Sequence, residues 1–188
     1  MVEHLDYDAI RGDTVVQVAK MMAAAAITAP KSGGQMFLQG KPNFMETIIV
    51  SDPETKTELS TWVQARGAER RETIWYRNAE VADAVDAILF VGLKPDWHPP
   101  NYDCGACGYA TCAEFLHATN SLRKDSTELE FAGPVCNLRD IDLGIAVGSA
   151  ARPRRSIPST AAVRLAPRSR RASSESSLPT TPSHSHCR

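Results

Sequence analysis

No hydrophobic run near the start of this chain approaches membrane length. The longest there, residues 21–27, falls far short of the roughly 20 apolar residues a spanning helix needs, so no transmembrane helix is expected. No basic leader opens the chain either. Met1-Val2-Glu3-His4-Leu5-Asp6 is acidic, which excludes a secretory n-region and makes the cytoplasm the expected address. Five cysteines in 188 residues are too few for a disulfide framework, and a reducing compartment would keep them as thiols. Catalytic constellations are also missing. Lys31-Ser32-Gly33-Gly34 is a turn rather than a phosphate-cradling loop ahead of a helix. Ser183, His184, Ser185 and His186 crowd into the last residues, and no dispersed Ser/His/Asp set has supporting local sequence.

Lysine is absent from residues 151–188, which hold eight Arg, nine Ser, five Pro and a single acid, Glu175. Residues 1–150 carry 13 Lys and Arg against 21 Asp and Glu, so the near-neutral total hides an acidic body and a basic tail. The division expected is a folded domain over 1–150 and a disordered tail over 151–188. Arg without Lys is odd for a selected basic arm, which weighs against nucleic acid as its partner. A shifted reading frame after the last helix accounts for the composition better.

What is there alternates helix and strand. An Ala- and Met-rich helix is expected over 14–28, capped by Asp13 or Thr14 and ended by Pro30, with Val15, Val18, Met22 and Ala26 as its buried stripe. Residues 46–50 read as a short buried strand, 54–66 as an amphipathic helix after Ser51-Asp52-Pro53, 73–76 as a strand and 78–85 as a helix. The almost wholly apolar run 87–93 is the best candidate for a central strand. Lys94-Pro95-Asp96-Trp97-His98-Pro99-Pro100 then breaks regular structure. A helix over 109–120 and another over 137–150 follow, the latter with Ile141, Ile145 and Val147 inward and Gly144 and Gly148 allowing close approach. The fold class expected is α+β, a small sheet with flanking helices.

The densest chemistry lies after the central strand, where α/β sheets commonly place ligands. Cys104-Gly105-Ala106-Cys107-Gly108-Tyr109-Ala110-Thr111-Cys112 packs three thiols into nine residues, and Cys136 follows Gly133-Pro134-Val135. Four thiolates satisfy a 4Fe-4S cluster. They also suit a closed tetrahedral zinc site, although zinc more often takes two separated C-x2-C pairs, and the three-plus-one asymmetry favours the cluster. Gly105 and Gly108 are expected to tolerate positive φ and to turn backbone N–H groups toward sulfur. Phe115 and Leu116 would shield the site from water, and Cys136 would gain from the positive end of the helix it precedes. Cys187, near the chain end, is not counted as a ligand, and His98 reads as a loop residue.

This loop, together with Thr28-Ala29-Pro30-Lys31, Val91-Gly92-Leu93-Lys94-Pro95, Gly133-Pro134-Val135-Cys136 and Asp142-Leu143-Gly144-Ile145-Ala146-Val147-Gly148-Ser149-Ala150, resembles a bacterial and archaeal ferredoxin-domain family of unknown function over most of residues 12–150. The loop is also similar to the single-cluster motif of some membrane electron-transport subunits and corrinoid iron-sulfur proteins. That resemblance implies Cys104, Cys107, Cys112 and Cys136 as cluster ligands. Members of the family usually continue with an ordered segment where this chain enters its Arg/Ser/Pro tail. A weaker similarity to the flavin-dependent nitroreductase fold implies a partial core of that type and makes Lys31 a candidate for an FMN phosphate. The Arg-x-Ser-x-Arg signature that usually binds that phosphate is missing, and Lys31 reads more simply as charge complementing a helix C-terminus. The function expected is a small iron-sulfur protein that transfers single electrons to a flavin or a redox partner protein. The alternatives are a zinc-stabilised interaction module and a cluster-based redox sensor.

Overall fold

Aspartate caps start the first two helices. A computed structural model describes residues 6–32, 43–94, 100–125, 134–156 and 162–165. The first helix, α1 (Tyr7–Thr28), begins where the Asp6 side chain accepts a hydrogen bond from the Asp8 N–H, seven to eight residues earlier than the expected cap. Gly12 lies inside it, and the roughly 1 kcal/mol a helical glycine costs against alanine is not enough to stop the helix. Ala29 turns to extended backbone before Pro30 and ends it. Val15, Val18, Met22 and Ala26 form the buried stripe as expected, with Ala19 among them.

Strand β1 (Met45–Val50) pairs antiparallel with β2 (Ile88–Leu93) from Met45↔Leu93 to Val50↔Ile88. The period-2 alternation sends Met45, Ile49, Leu89, Val91 and Leu93 into the core beneath α1, while Ile48 stays exposed on the other face. Between the strands lie α2 (Pro53–Arg70) and α3 (Thr73–Ala84), which pack chiefly on each other. Asp52 caps α2 by accepting from Thr55 N–H at 2.7 Å, and hydrogen bonds from Thr55 hold its carboxyl below the usual carboxylate range. Arg71, at φ 55°, supplies the left-handed residue that stops the helix.

Residues 73–76 are not a strand. Thr73, Ile74, Trp75 and Tyr76 have strand-like side chains, yet they form the first turn of α3. Helix-on-helix packing overrides that preference. A Cβ at Gly67 would lie 3.0 Å from Trp75 Cβ and 3.2 Å from the Tyr76 ring, so any side chain there would force α3 to give way. Ser60 Oγ adds a hydrogen bond to Asp83 Oδ2 at 2.8 Å, and Trp62 meets Trp75 edge-on.

Helix α4 (Cys112–Asp125) leaves the cysteine loop, and α5 (Asn137–Ser156) packs against α1 and β2. The buried face of α5 differs from the one expected. Ala146 and Ala150 are fully buried, with Leu143 and Val147 beside them, whereas Ile141 and Ile145 are exposed. A Cβ at Gly144 or Gly148 would meet no heavy atom within 4 Å, so these glycines are not points of close approach. Alanines perform that role, with Ala19 and Ala26 of α1 in the same core.

The boundary expected at Ala150 falls inside α5, which runs on to Ser156. Beyond it, β3 (Ala162–Leu165) pairs parallel with β2. The sheet order is therefore β1-β2-β3, with β2 central as its composition suggested. The result is an α+β fold with a small sheet and flanking helices. Among the described residues, no helix is long and apolar enough to cross a membrane.

Gly67→Val should destabilise the chain by about 1–3 kcal/mol through overpacking between α2 and α3. Gly12→Ala, which enters open space within α1, should stabilise it by up to about 1 kcal/mol. Urea unfolding followed by tryptophan fluorescence measures both.

Candidate metal centre

The sheet ends where Lys94 N–H donates to Phe44 O at 2.9 Å, which ties the close of β2 to the residue that precedes β1. From Pro100 the chain enters a tight loop. Asn101, Asp103, Gly105 and Gly108 all adopt positive φ, at 57°, 45°, 69° and 85°. Gly108 N–H donates to Gly105 O at 2.9 Å, closing a turn that starts just after Cys104 and contains Cys107. A Cβ at Gly108 would meet nothing within 4 Å, so backbone conformation rather than space calls for glycine there. That turn uses the Gly108 N–H, which is therefore not the sulfur donor expected of it.

Two further devices hold the loop against α4. Asp103 Oδ1 accepts from Cys112 N–H at 2.7 Å. Thr111 and Glu114 form a reciprocal capping box: Glu114 N–H donates to Thr111 Oγ1 at 3.2 Å and Thr111 N–H to Glu114 Oε2 at 3.3 Å. The box starts α4 at Cys112 instead of Tyr109. The Thr-x-x-Glu spacing that announces it was present in the sequence. Cys112 thus occupies the first residue of α4. Cys136 caps α5, its carbonyl accepting from Arg139 and Asp140 N–H at 2.9 and 3.0 Å. Both thiols stand at the positive end of a helix, where negative charge is stabilised.

All four cysteines line one solvent-open concavity of about 290 Å³, with Gly105, Tyr109, Thr111 and Leu138 among its walls. Their exposure is graded: Cys104 is exposed, Cys107 half-buried, and Cys112 and Cys136 are 8% and 4% exposed. Phe115 does not line the concavity. It is fully buried behind it, packed with Cys136 and flanked by Phe44, Leu93, Tyr109 and Leu116, and it meets the Tyr109 ring edge-on at 5.7 Å. The site therefore has a dry inner wall and a wet rim.

Among the described residues, no three His, Cys, Asp or Glu side chains stand close enough to hold a single metal ion. The four thiols border a space rather than converge on a point. One zinc ion would draw four sulfurs to about 3.8 Å from one another, given Zn–S bonds near 2.3 Å in a tetrahedron. A polynuclear iron-sulfur group spreads its ligands over a larger body. The donor set fits such a group: four thiols line the concavity, and Asp103, the one carboxylate among its walls, accepts a hydrogen bond from Cys112 N–H.

Charge around the site was less legible in the sequence. Arg139 and Asp142, 3% and 1% exposed, form a buried ion pair on α5 at 2.7 Å. Ser32 N–H and Oγ both donate to the Asp142 carboxylate, at 2.6 and 2.5 Å. Such a pair contributes little net stability, but removing one partner strands a buried charge at a cost of about 3–5 kcal/mol. The i, i+3 spacing of opposite charges on the same helical face as Leu143, Ala146 and Ala150 was the available signal.

Lys31 Nζ donates to the carbonyls of Ala26, Ile27 and Ala29 at 3.0, 2.7 and 2.9 Å, and burial lowers its pKa while the nearby Asp142 opposes the shift. The lysine complements the C-terminus of α1, and its three donors are aimed at backbone instead of at a flavin phosphate. Burial raises the pKa of Asp140, in the first turn of α5. Asp96, Trp97, His98 and Cys187 lie outside the described residues.

Residues 100–121 match a family model described as "Putative Fe-S cluster". Over 142 residues the chain is 34% identical to a protein of Archaeoglobus fulgidus described as "Uncharacterized protein", an alignment that covers 76% of this chain and 68% of the archaeal one. The chain belongs to the family of that archaeal protein. The segment matched to the Fe-S model contains Cys104, Cys107 and Cys112, which supports an iron-sulfur protein, and Cys136 lines the same concavity. No solved structure matches the chain.

In metal-free Cys187→Ser protein, thiol labelling with peptide mapping should modify Cys104 first and Cys107 next, with Cys112 and Cys136 reacting only as the chain opens. Equal rates at all four would contradict the graded burial.

Proposed function

We propose that Cys104, Cys107, Cys112 and Cys136 hold one 4Fe-4S cluster, and that the protein passes single electrons between a donor and a redox partner protein. The observation that carries this reading is the convergence of all four thiols, three from one loop and one from the start of α5, on the walls of a single concavity. When bound, a 4Fe-4S cluster supplies a one-electron couple whose potential depends on burial and hydrogen bonding.

The chain's own residues do the rest. Cys112 and Cys136 anchor the dry side at two helix N-termini, while Phe115, Tyr109 and Leu138 exclude water from it. Cys104 stands in the open, with the exposed Tyr102 two residues before it, and gives a partner access to the edge of the site. Short, wet approach at one edge and shielding elsewhere suit transfer of an electron without transfer of atoms. The Lys31 ammonium donates to three backbone carbonyls at the end of α1, so it is not offered to a flavin phosphate. A reducing cytoplasm suits thiolate ligands with an exposed member.

Chemical reduction of anaerobically prepared protein should produce a paramagnetic signal that disappears on reoxidation and returns over repeated cycles. Cys187→Ser should keep that signal and Cys112→Ser should lose it. Equal signals in the two variants would overturn the ligand assignment, and loss of iron at each cycle would overturn the electron-transfer role.

A further inference from the structure

Arg139 and Asp142 are two charges taken out of water beside a site that four thiols already complete. Apolar residues would pack α5 onto α1 without that desolvation. Their contacts indicate what they hold. Arg139 lies one turn after Cys136, and its N–H donates to the Cys136 carbonyl at 2.9 Å. Its Nη1 donates to Asp142 Oδ2 at 2.7 Å, to Ser32 Oγ at 3.2 Å and to Ser32 O at 3.4 Å. Ser32 returns two hydrogen bonds to the same carboxylate.

The guanidinium also lies over the face of Phe44, 3.7 Å from the ring centroid, and Phe44 packs in turn against the cluster of Cys136 and Phe115. One buried node therefore joins the residues just after α1, the approach to β1 and the first turn of α5. The start of α5 cannot rotate or slide without breaking hydrogen bonds that have no water to replace them.

We propose that Arg139, fixed by Asp142 and Ser32, is a positioning residue for the cysteine site. It locks Cys136 and the first turn of α5 against Ser32 and Phe44, and its buried positive charge favours the reduced form of the bound cluster. The second half rests on the iron-sulfur reading; the first does not. The sign follows from charge: uptake of one electron from the donor protein makes the site more negative, and a cation fixed over Phe44, which packs against Cys136 and Phe115, stabilises that state.

Two experiments on the full chain separate these halves. In metal-free protein carrying Cys187→Ser, Ser32→Ala and Arg139→Lys should each raise alkylation of Cys136 by about 10-fold and leave Cys104 unchanged. Ser60→Ala, which removes a buried hydroxyl from the α2–α3 hairpin, should leave Cys136 at its original rate. Unchanged Cys136 labelling in the first two variants, or equal acceleration in all three, would overturn the lock. In iron-loaded protein, Arg139→Gln should lower the reduction potential, Asp142→Asn should raise it, and Arg139→Lys should stay near the parent value. Shifts of one sign in the first two, or none, would overturn the charge effect. If the parent chain takes up no iron and sulfide, the cluster reading and the charge effect fall together, while the labelling result still decides the lock.

Discussion

The packing of α5 on α1 is the constraint on which the site depends. Three cysteines reach the concavity by local geometry, because the loop from Asn101 to Cys112 folds back on itself. The fourth arrives only if residue 136 is brought from another part of the chain and held at that place. Alanines make this geometrically simple: Ala19 and Ala26 on one helix and Ala146 and Ala150 on the other share the core that the sheet closes with Met45, Leu89 and Val91. Small side chains let the helices approach closely, and the apolar residues around them supply the driving force, roughly 1.5–3 kcal/mol for each large side chain fully withdrawn from water. The cysteine site is thus a by-product of core formation at one end of the sheet.

The polarity of the site follows from the same arrangement. Two helices begin there, so backbone dipoles present their positive ends to Cys112 and Cys136, and Phe115 closes the inner wall. The opposite rim, from Asn101 to Ala106, is exposed along its whole length. Strain is concentrated on this rim as well: Asn101 and Asp103 take left-handed backbone without being glycine, and Asp103 is compensated by the hydrogen bond it accepts from Cys112. A loop held in this way is shaped before any metal arrives, which lowers the cost of ordering its ligands.

How much of this could be read from the sequence varied with the range of the interaction involved. The cysteine spacing, the stripe of α1 and the two strands at 45–50 and 88–93 were legible because each is encoded by neighbours in the chain. The first turn of α3 was not. Thr73, Ile74, Trp75 and Tyr76 favour a strand locally, and packing of Trp75 and Tyr76 over Gly67 of the facing helix, a nonlocal contact, goes with their helical form. The face of α5 was misread for a related reason: isoleucine suggests burial, yet the positions of Ile141 and Ile145 point away from α1, and the inward stripe uses Arg139, Asp142, Leu143, Ala146 and Ala150. Two charges in that stripe hide it from a hydrophobic pattern. The expected end of the domain at Ala150 was a judgement from composition, and composition says little about β3, whose pairing with β2 is nonlocal.

The most direct test of the central claim is the iron, acid-labile sulfide and zinc content of the protein purified without oxygen. Four thiols on the walls of one concavity, three from a single loop and one from the start of α5, predict about four iron and four sulfide per chain, with negligible zinc. About one zinc per chain and no sulfide would contradict the account and leave the concavity as a structural metal site.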